Sequence, residues 1–157
     1  GVNIDEIDEN QDDIQPTGLN ANKVKKNASR ISLDHYYFYS PLNGEVSAGF
    51  DADKKHFGVD IVAPENSPVK SILDGVVIFS DWSVKTGNTI SVQHRDDLIS
   101  VYKHNSKLLK KVGQFVKSGE AICIIGNTGE LTSGPHVHFE LWNNGIAVDP
   151  VDYINFN

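Results

Sequence analysis

The sequence has no methionine, one cysteine and no long apolar run. Because methionine is missing even at position 1, we expect a processed or trimmed product, with which a removed signal or anchor would agree. The single cysteine excludes an intrachain disulfide. Cys123 lies in an apolar run and is expected to be an inert core residue. No run approaches the roughly eighteen apolar residues of a membrane span, which predicts a soluble fragment.

Basic residues are also few, and the acidic ones are unevenly placed. The net charge is −7, and residues 1–18 hold six carboxylates and no lysine or arginine, so the rest of the chain carries only −1. Without a basic stripe, the sequence predicts no nucleic-acid partner. We predict a disordered acidic tail over 1–18, an N-terminal extension that packs on the domain over 19–43, and one domain over 44–157.

Short segments punctuated by glycine, proline and asparagine follow from residue 44. This pattern predicts an all-β fold, an antiparallel sheet or sandwich with at most short helices. Two such helices are expected, over 20–30 and 105–111, and the aromatic run 36–39 is expected to form a strand or a cap on the domain. Turn residues predict hairpins at four places: Asp74-Gly75, 95–97, Ser118-Gly119 and 143–145.

The histidines carry most of the chemical information. His136 and His138 would project from the same face of a strand, because successive side chains alternate. His56 and Asp60 would lie roughly 13 Å apart in a straight strand, too far for zinc ligands held at about 2.0 to 2.2 Å. Gly58, midway between them, permits a positive φ or a tight bend that folds the two side chains together.

These residues belong to motifs that resemble the M23 zinc peptidases, the lysostaphin and LytM type of peptidoglycan endopeptidase. The resemblance covers about residues 44–153, with the motifs in the family's order. It implies the lysostaphin-type β fold, one zinc ion bound by His56, Asp60 and His138, His136 as the catalytic base, and His104 as an assistant at the metal-bound water. The residues themselves leave other divalent ions open.

The resemblance also implies a function. The expected activity is zinc-dependent hydrolysis of peptide bonds in the stems or cross-links of bacterial peptidoglycan, in the cell envelope outside the cytoplasm. The alternatives are a non-catalytic or latent cell-wall-binding relative, and a carrier or sugar-handling β-sandwich module. Many family members carry a tyrosine shortly before the first zinc ligand, where this chain has Phe50. The acidic segment 1–18 is a candidate for an inhibitory arm, as in latent family members.

Three further side chains call for an interpretation. Glu140 would share the face of the two strand histidines, where it could orient a ligand imidazole or pair with a base on a neighbouring strand. His35 and His94 match no family position and are given no role, and His94 is expected to be solvated. The loop over 126–135 is expected to line the groove and to deliver His136.

Overall fold

The computed structural model describes residues 33–126 and 134–157. Within these residues the chain forms eleven β-strands and two single-turn 3₁₀ helices, Ala52–Lys54 and Pro150–Asp152. The strands, in chain order, are β1 (Glu45–Ala48), β2 (Val59–Val62), β3 (Pro68–Lys70), β4 (Gly75–Ser83), β5 (Gly87–Gln93), β6 (Leu98–Asn105), β7 (Lys107–Leu108), β8 (Phe115–Val116), β9 (Ala121–Ile124), β10 (His136–Asn143) and β11 (Ile146–Val148). The predicted all-β fold with at most short helices is confirmed.

The strands form two antiparallel sheets. The larger follows the order β1-β2-β10-β6-β5-β4-β8, with β11 paired to β10, and the smaller follows β3-β9-β7. Strand β10 is therefore central, with β2 on one side and β6 on the other. Strands β2 and β6 come from parts of the sequence distant from β10, so the sheet brings together residues that no local pattern connects.

The main core contains apolar side chains of both sheets. From β10 it receives Val137, Phe139 and Leu141, all fully buried. Because side chains alternate along a strand, His136 and His138 project from the opposite face of the large sheet. A second, smaller apolar cluster, which includes Val101 and Trp142, lies on that opposite face. The sequence prediction that the two histidines share a face is confirmed.

Two of the four predicted hairpins are present. Strands β5 and β6 pair across the turn at 95–97, and β10 pairs with β11 across Asn144-Gly145. Both residues of that second turn have positive φ, 52° and 79°. This is the backbone that a type I′ turn requires and that Asn-Gly favours.

The other two predicted hairpins are wrong. Strands β3 and β4, on either side of Asp74-Gly75, belong to different sheets, as do β8 and β9 on either side of Ser118-Gly119. Gly119 does lie in a turn, with φ of 82°, but this turn carries the chain from one sheet to the other. Gly75 lies within β4, and a Cβ there would be 2.5 Å from the carbonyl oxygen of Gln93. Turn residues thus identified bends correctly but could not tell which strands pair.

The helix predicted over 105–111 is also wrong. Asn105 ends β6, and Lys107 and Leu108 pair with Ile124 and Cys123 of β9. The polar and apolar residues of this segment suit a strand better than a short amphipathic helix, because pairing with β9 packs Leu108 against the main core. Long-range pairing overrides weak local helix propensity here.

The described part of the chain begins within the predicted N-terminal extension. Leu33 and Leu42 are buried in the main core, and Tyr36 and Phe38 pack against it, so this segment forms a cap rather than a strand. The predicted acidic tail and the predicted helix over 20–30 lie outside the described residues. Across residues 33–126 and 134–157, none of the helices has the length and apolar character to cross a membrane.

Candidate active site

A pair of side chains on neighbouring strands forms the centre of the candidate site. Asp60 of β2 lies directly opposite His138 of β10 in the antiparallel register. The Nδ1 atom of His138 is 2.8 Å from Oδ1 of Asp60. His138 is buried, whereas Asp60 is half-buried. Strand pairing therefore places a carboxylate and an imidazole in contact although 78 positions separate them in the chain.

His56 reaches this pair from outside the strand. Its Nε2 atom lies 3.3 Å from Oδ2 of Asp60. The chain bends at Gly58, as the sequence predicted, but φ of Gly58 is not positive. A Cβ at this position would lie 2.3 Å from the carbonyl oxygen of Phe139 and 2.9 Å from Nε2 of His138. Glycine is therefore required by the close approach of the two chain segments rather than by an unusual φ.

Three acceptor atoms converge in this arrangement. Nδ1 of His56 is 2.6 Å from the carbonyl oxygen of Gly49, which can only accept, so Nδ1 carries the proton and a neutral ring presents the Nε2 lone pair to Asp60. Asp60 offers one oxygen to each of His56 and His138. One ligand atom from each of the three residues lies within 4.8 Å of the others. Such a group is stable when a cation, or protons on the rings, balances the lone pairs.

The charge states agree with a cation-binding role. Burial raises the pKa of Asp60, but when protons on the His138 and His56 rings take the place of a cation, their hydrogen bonds to Asp60 outweigh it and hold this pKa below its ordinary value. The hydrogen bond to Asp60 is the main cause that raises the pKa of His56. Protons and metal ions compete for such atoms. Two imidazole nitrogens and one carboxylate are a ligand set that suits zinc with a further position left open.

Two more histidines lie beside this group. The ring of His104 is 6.1 Å from that of His138 and 5.8 Å from that of His136, measured between centroids. Burial, followed by the charges of His138 and His136, lowers the pKa of His104 to about 4, so its ring is neutral at pH 7. His136 is half-buried and its Nδ1 lies 3.2 Å from the carbonyl oxygen of Gly134. The structure thus brings together all five residues that the sequence singled out.

Behind His138 lies a buried ion pair. Oε2 of Glu140 is 2.8 Å from Nε2 of His138 and 3.0 Å from Nζ of Lys103. The two roles considered for Glu140, contact with an imidazole and pairing with a neighbouring base, are thus both present. Sequence reasoning missed Lys103, which is fully buried. Lys103 follows Val101 by two residues on β6, so the two side chains share a face, and this spacing could have predicted that Lys103 is buried.

The prediction that His94 is solvated is wrong. This residue is 3% exposed, and its ring nitrogens lie 2.8 Å from the carbonyl oxygen of Asp74 and from Oγ of Ser100. Burial lowers the pKa of His94 to about 4. Cys123, in contrast, is fully buried as predicted, and burial raises the pKa of its thiol.

Comparison with known families and proteins agrees with this geometry. The model of peptidase family M23 matches residues 54–150, more than half of the chain. The chain is 37% identical over 110 residues to the peptidoglycan DD-endopeptidase ShyC of Vibrio cholerae, which covers 70% of this chain and 24% of that protein. It is 34% identical over 116 residues to the murein hydrolase activator NlpD of Salmonella dublin, which covers 73% of this chain and 30% of that protein. The chain thus spans about a quarter to a third of the length of these relatives.

Solved structures share the fold. A zinc-containing peptidase from Vibrio cholerae aligns with a TM-score of 0.65 and 32% identity, over 73% of this chain and 39% of that one. The antimicrobial peptidase lysostaphin from Staphylococcus simulans aligns with a TM-score of 0.63 and 31% identity, over 75% of this chain and 53% of that one. The lysostaphin-type fold that the sequence predicted is confirmed.

Proposed function

We propose that this chain, which belongs to peptidase family M23, is a zinc-dependent endopeptidase that hydrolyses peptide bonds of bacterial cell-wall peptidoglycan. The observation that carries the proposal is the convergence on Asp60. Nε2 of His56 and Nδ1 of His138 approach its two oxygens at 3.3 and 2.8 Å. We assign these three residues as the ligands of one zinc ion. A half-buried carboxylate between two lone pairs needs a positive partner, which zinc would supply when bound.

A bound zinc ion would lower the pKa of a water molecule towards 7 and would polarise the carbonyl group of the peptide bond. In the proposed reaction His136 is the general base that takes the proton of the attacking water and returns it to the leaving amine. It opens β10 two residues before His138 and is half-buried, so its ring is partly exposed to solvent. His104, neutral at pH 7 because of its lowered pKa, can donate one hydrogen bond to the oxygen that becomes negative.

The substrate class follows from the relatives. The ShyC protein is named a peptidoglycan DD-endopeptidase, which supports peptide stems or cross-links as the substrate. Because peptidoglycan lies outside the cytoplasmic membrane, the proposal places the protein in the cell envelope.

A second candidate is a latent or non-catalytic relative that acts on the cell wall without hydrolysing it. The similarity to NlpD, which is named a murein hydrolase activator, favours this candidate. We prefer the enzyme because His56, Asp60, His138, His136 and His104 all lie together in one site. An activator would need neither the ligand set nor the base.

The test is the release of soluble peptides from purified peptidoglycan, with added zinc and again with a chelator, together with measurement of bound zinc. The expected result is release that the chelator abolishes and zinc restores. His136→Asn should retain zinc and lose release. The variant His35→Asn is the matched control, since it makes the same substitution at an exposed histidine that has no role in the proposed site. Zinc binding without release by the wild type would favour a latent form, and no zinc binding would reject both the metal site and the enzyme and would favour the activator.

A further inference from the structure

Glu140 lies behind the candidate zinc ligand His138, on the side away from Asp60. Its Oε2 atom is 2.8 Å from Nε2 of His138 and 3.0 Å from Nζ of Lys103, and its Oε1 atom is 2.9 Å from Nε1 of Trp142. Glu140, Lys103 and Trp142 are each no more than 1% exposed. A charge at this depth is stable only when it is paired and hydrogen-bonded, and Glu140 meets both conditions.

The identity of these partners determines the direction of the hydrogen bond to His138. A lysine ammonium and an indole N–H can only donate, so Glu140 acts as an ionised acceptor through both of its oxygens. The contact at 2.8 Å therefore requires the proton of the His138 ring to reside on Nε2. In a neutral imidazole the other nitrogen then has the lone pair, and Nδ1 of His138 is the atom that faces Asp60.

The packing around this contact leaves the ring little freedom. Asp60 and Glu140 approach opposite edges of the His138 imidazole, each at 2.8 Å. Above them, a Cβ on Gly58 would lie 2.8 Å from Cγ of Glu140 and 2.9 Å from Nε2 of His138. Because Gly58 has no side chain, the segment before β2 can pack directly against β10 beside the hydrogen bond between His138 and Glu140.

We infer that Glu140 is a positioning residue for the metal centre, held by Lys103 and Trp142, and that it fixes His138 in the orientation and tautomer that present Nδ1 to zinc. This inference rests on the proposed function. Lys103 balances the charge of Glu140, so the carboxylate positions the ring without adding net negative charge to the site. Partners of this kind behind a ligand histidine typically change metal affinity by about 10- to 100-fold.

The first experiment measures zinc affinity by competition with a chelator of known affinity. Glu140→Gln should bind zinc about 10- to 100-fold more weakly, because an amide has one acceptor oxygen where the carboxylate has two. The amide of the Glu140→Gln variant must therefore point its NH₂ group either at Nε2 of His138 or at Nε1 of Trp142, and in either case one of these two hydrogen bonds is lost. The control is Ser100→Ala, which removes a fully buried hydroxyl from β6, hydrogen-bonded to His94 and Tyr102 and not to the zinc ligands. This variant should lose stability and keep its zinc affinity.

The double variant Lys103→Met/Glu140→Gln separates positioning from charge and from folding. It has the net charge of the wild type and leaves no unpaired ion in the interior, so its stability should recover relative to Glu140→Gln alone. Its zinc affinity should stay low because no carboxylate accepts the Nε2 proton. Recovery of affinity together with stability would overturn the positioning role.

A measurement on the wild type covers the case in which the Glu140 variants do not fold. Two-bond ¹⁵N–¹H correlation spectra of the zinc-loaded protein assign the proton of each imidazole to Nδ1 or Nε2. His138 should carry its proton on Nε2, in slow exchange with water, and a proton on Nδ1 would overturn the inference. Unchanged affinity in Glu140→Gln would overturn it while leaving the proposed function intact, whereas a wild type that binds no zinc would overturn both.

Discussion

Gly126 offers a sharp test of how the two non-ligand histidines are held. It forms an isolated bridge with His136, whose N–H donates to its carbonyl oxygen at 2.9 Å. A Cβ on Gly126 would lie 1.8 Å from the carbonyl oxygen of His104, where real contacts essentially never fall below 3.0 Å. Gly126→Ala must therefore separate residue 126 from the His104 carbonyl oxygen by at least about 1.2 Å, the difference between these two distances, and this shift disturbs His104, or His136 through its hydrogen bond to residue 126, or both.

A displacement of about 1 Å at a catalytic group typically costs on the order of 100-fold in rate, and overpacking costs about 1–3 kcal/mol of unfolding free energy. We expect Gly126→Ala to show both losses, the first in peptide release from peptidoglycan and the second in urea denaturation. Zinc affinity should change much less, because the three atoms nearest to the new methyl group belong to His104 and Asn105 and not to the ligands. Val84→Ala, at a position that is 86% exposed, is the control. A Gly126→Ala protein with wild-type rate and stability would refute the reasoning.

Four further predictions follow from the site and the sequence. Asp60→Asn removes a proposed ligand, so it should weaken zinc binding by more than the roughly 10- to 100-fold that follows loss of a residue hydrogen-bonded to a ligand. Chelator competition measures this change. His136→Asn should lower the rate by about 10²- to 10⁴-fold with zinc content unchanged in elemental analysis. The pKa of His94 is about 4 in the folded protein, against an ordinary value of 6.5. At about 1.36 kcal/mol per pKa unit, the neutral ring contributes about 3 kcal/mol to the free energy of unfolding above pH 6.5, and this contribution is lost as the pH falls to 4. In urea denaturation, His94→Gln should show a flatter dependence of stability on pH in this range. Deleting residues 1–18 should raise peptide release if that segment inhibits, and an unchanged rate would dispose of the idea.

The sequence predicted those parts of the site that depend on local geometry. Alternation along a strand put His136 and His138 on one face, and the bend at Gly58 allowed His56 to join Asp60. The pairing of Asp60 with His138 could not be derived from the residues themselves. It depends on the register between β2 and β10, and strand register is set by long-range packing. The family resemblance supplied this connection instead.

The burial of two polar residues, His94 and Lys103, was not predicted from the sequence. Solvation of His94 is predicted because Arg95 and Asp96 follow it, yet this histidine is in phase with the buried Ile90 and Val92 of β5. The environment of a strand residue depends on the face that it occupies more than on its neighbours in sequence.

The hairpin errors have a related cause. Glycine at positions 75 and 119 marks a close approach in one case and a crossover between sheets in the other. Local turn chemistry specifies the bend but not the strand that the chain will pair with afterwards.

The proposed zinc site is tested most directly by a crystal structure of the zinc-soaked protein with anomalous diffraction recorded above and below the zinc absorption edge. We expect one strong anomalous peak bonded to Nε2 of His56, a carboxylate oxygen of Asp60 and Nδ1 of His138, at about 2.0–2.2 Å. A peak elsewhere, or none at these three residues, would contradict the proposed metal centre and the peptidase mechanism that depends on it.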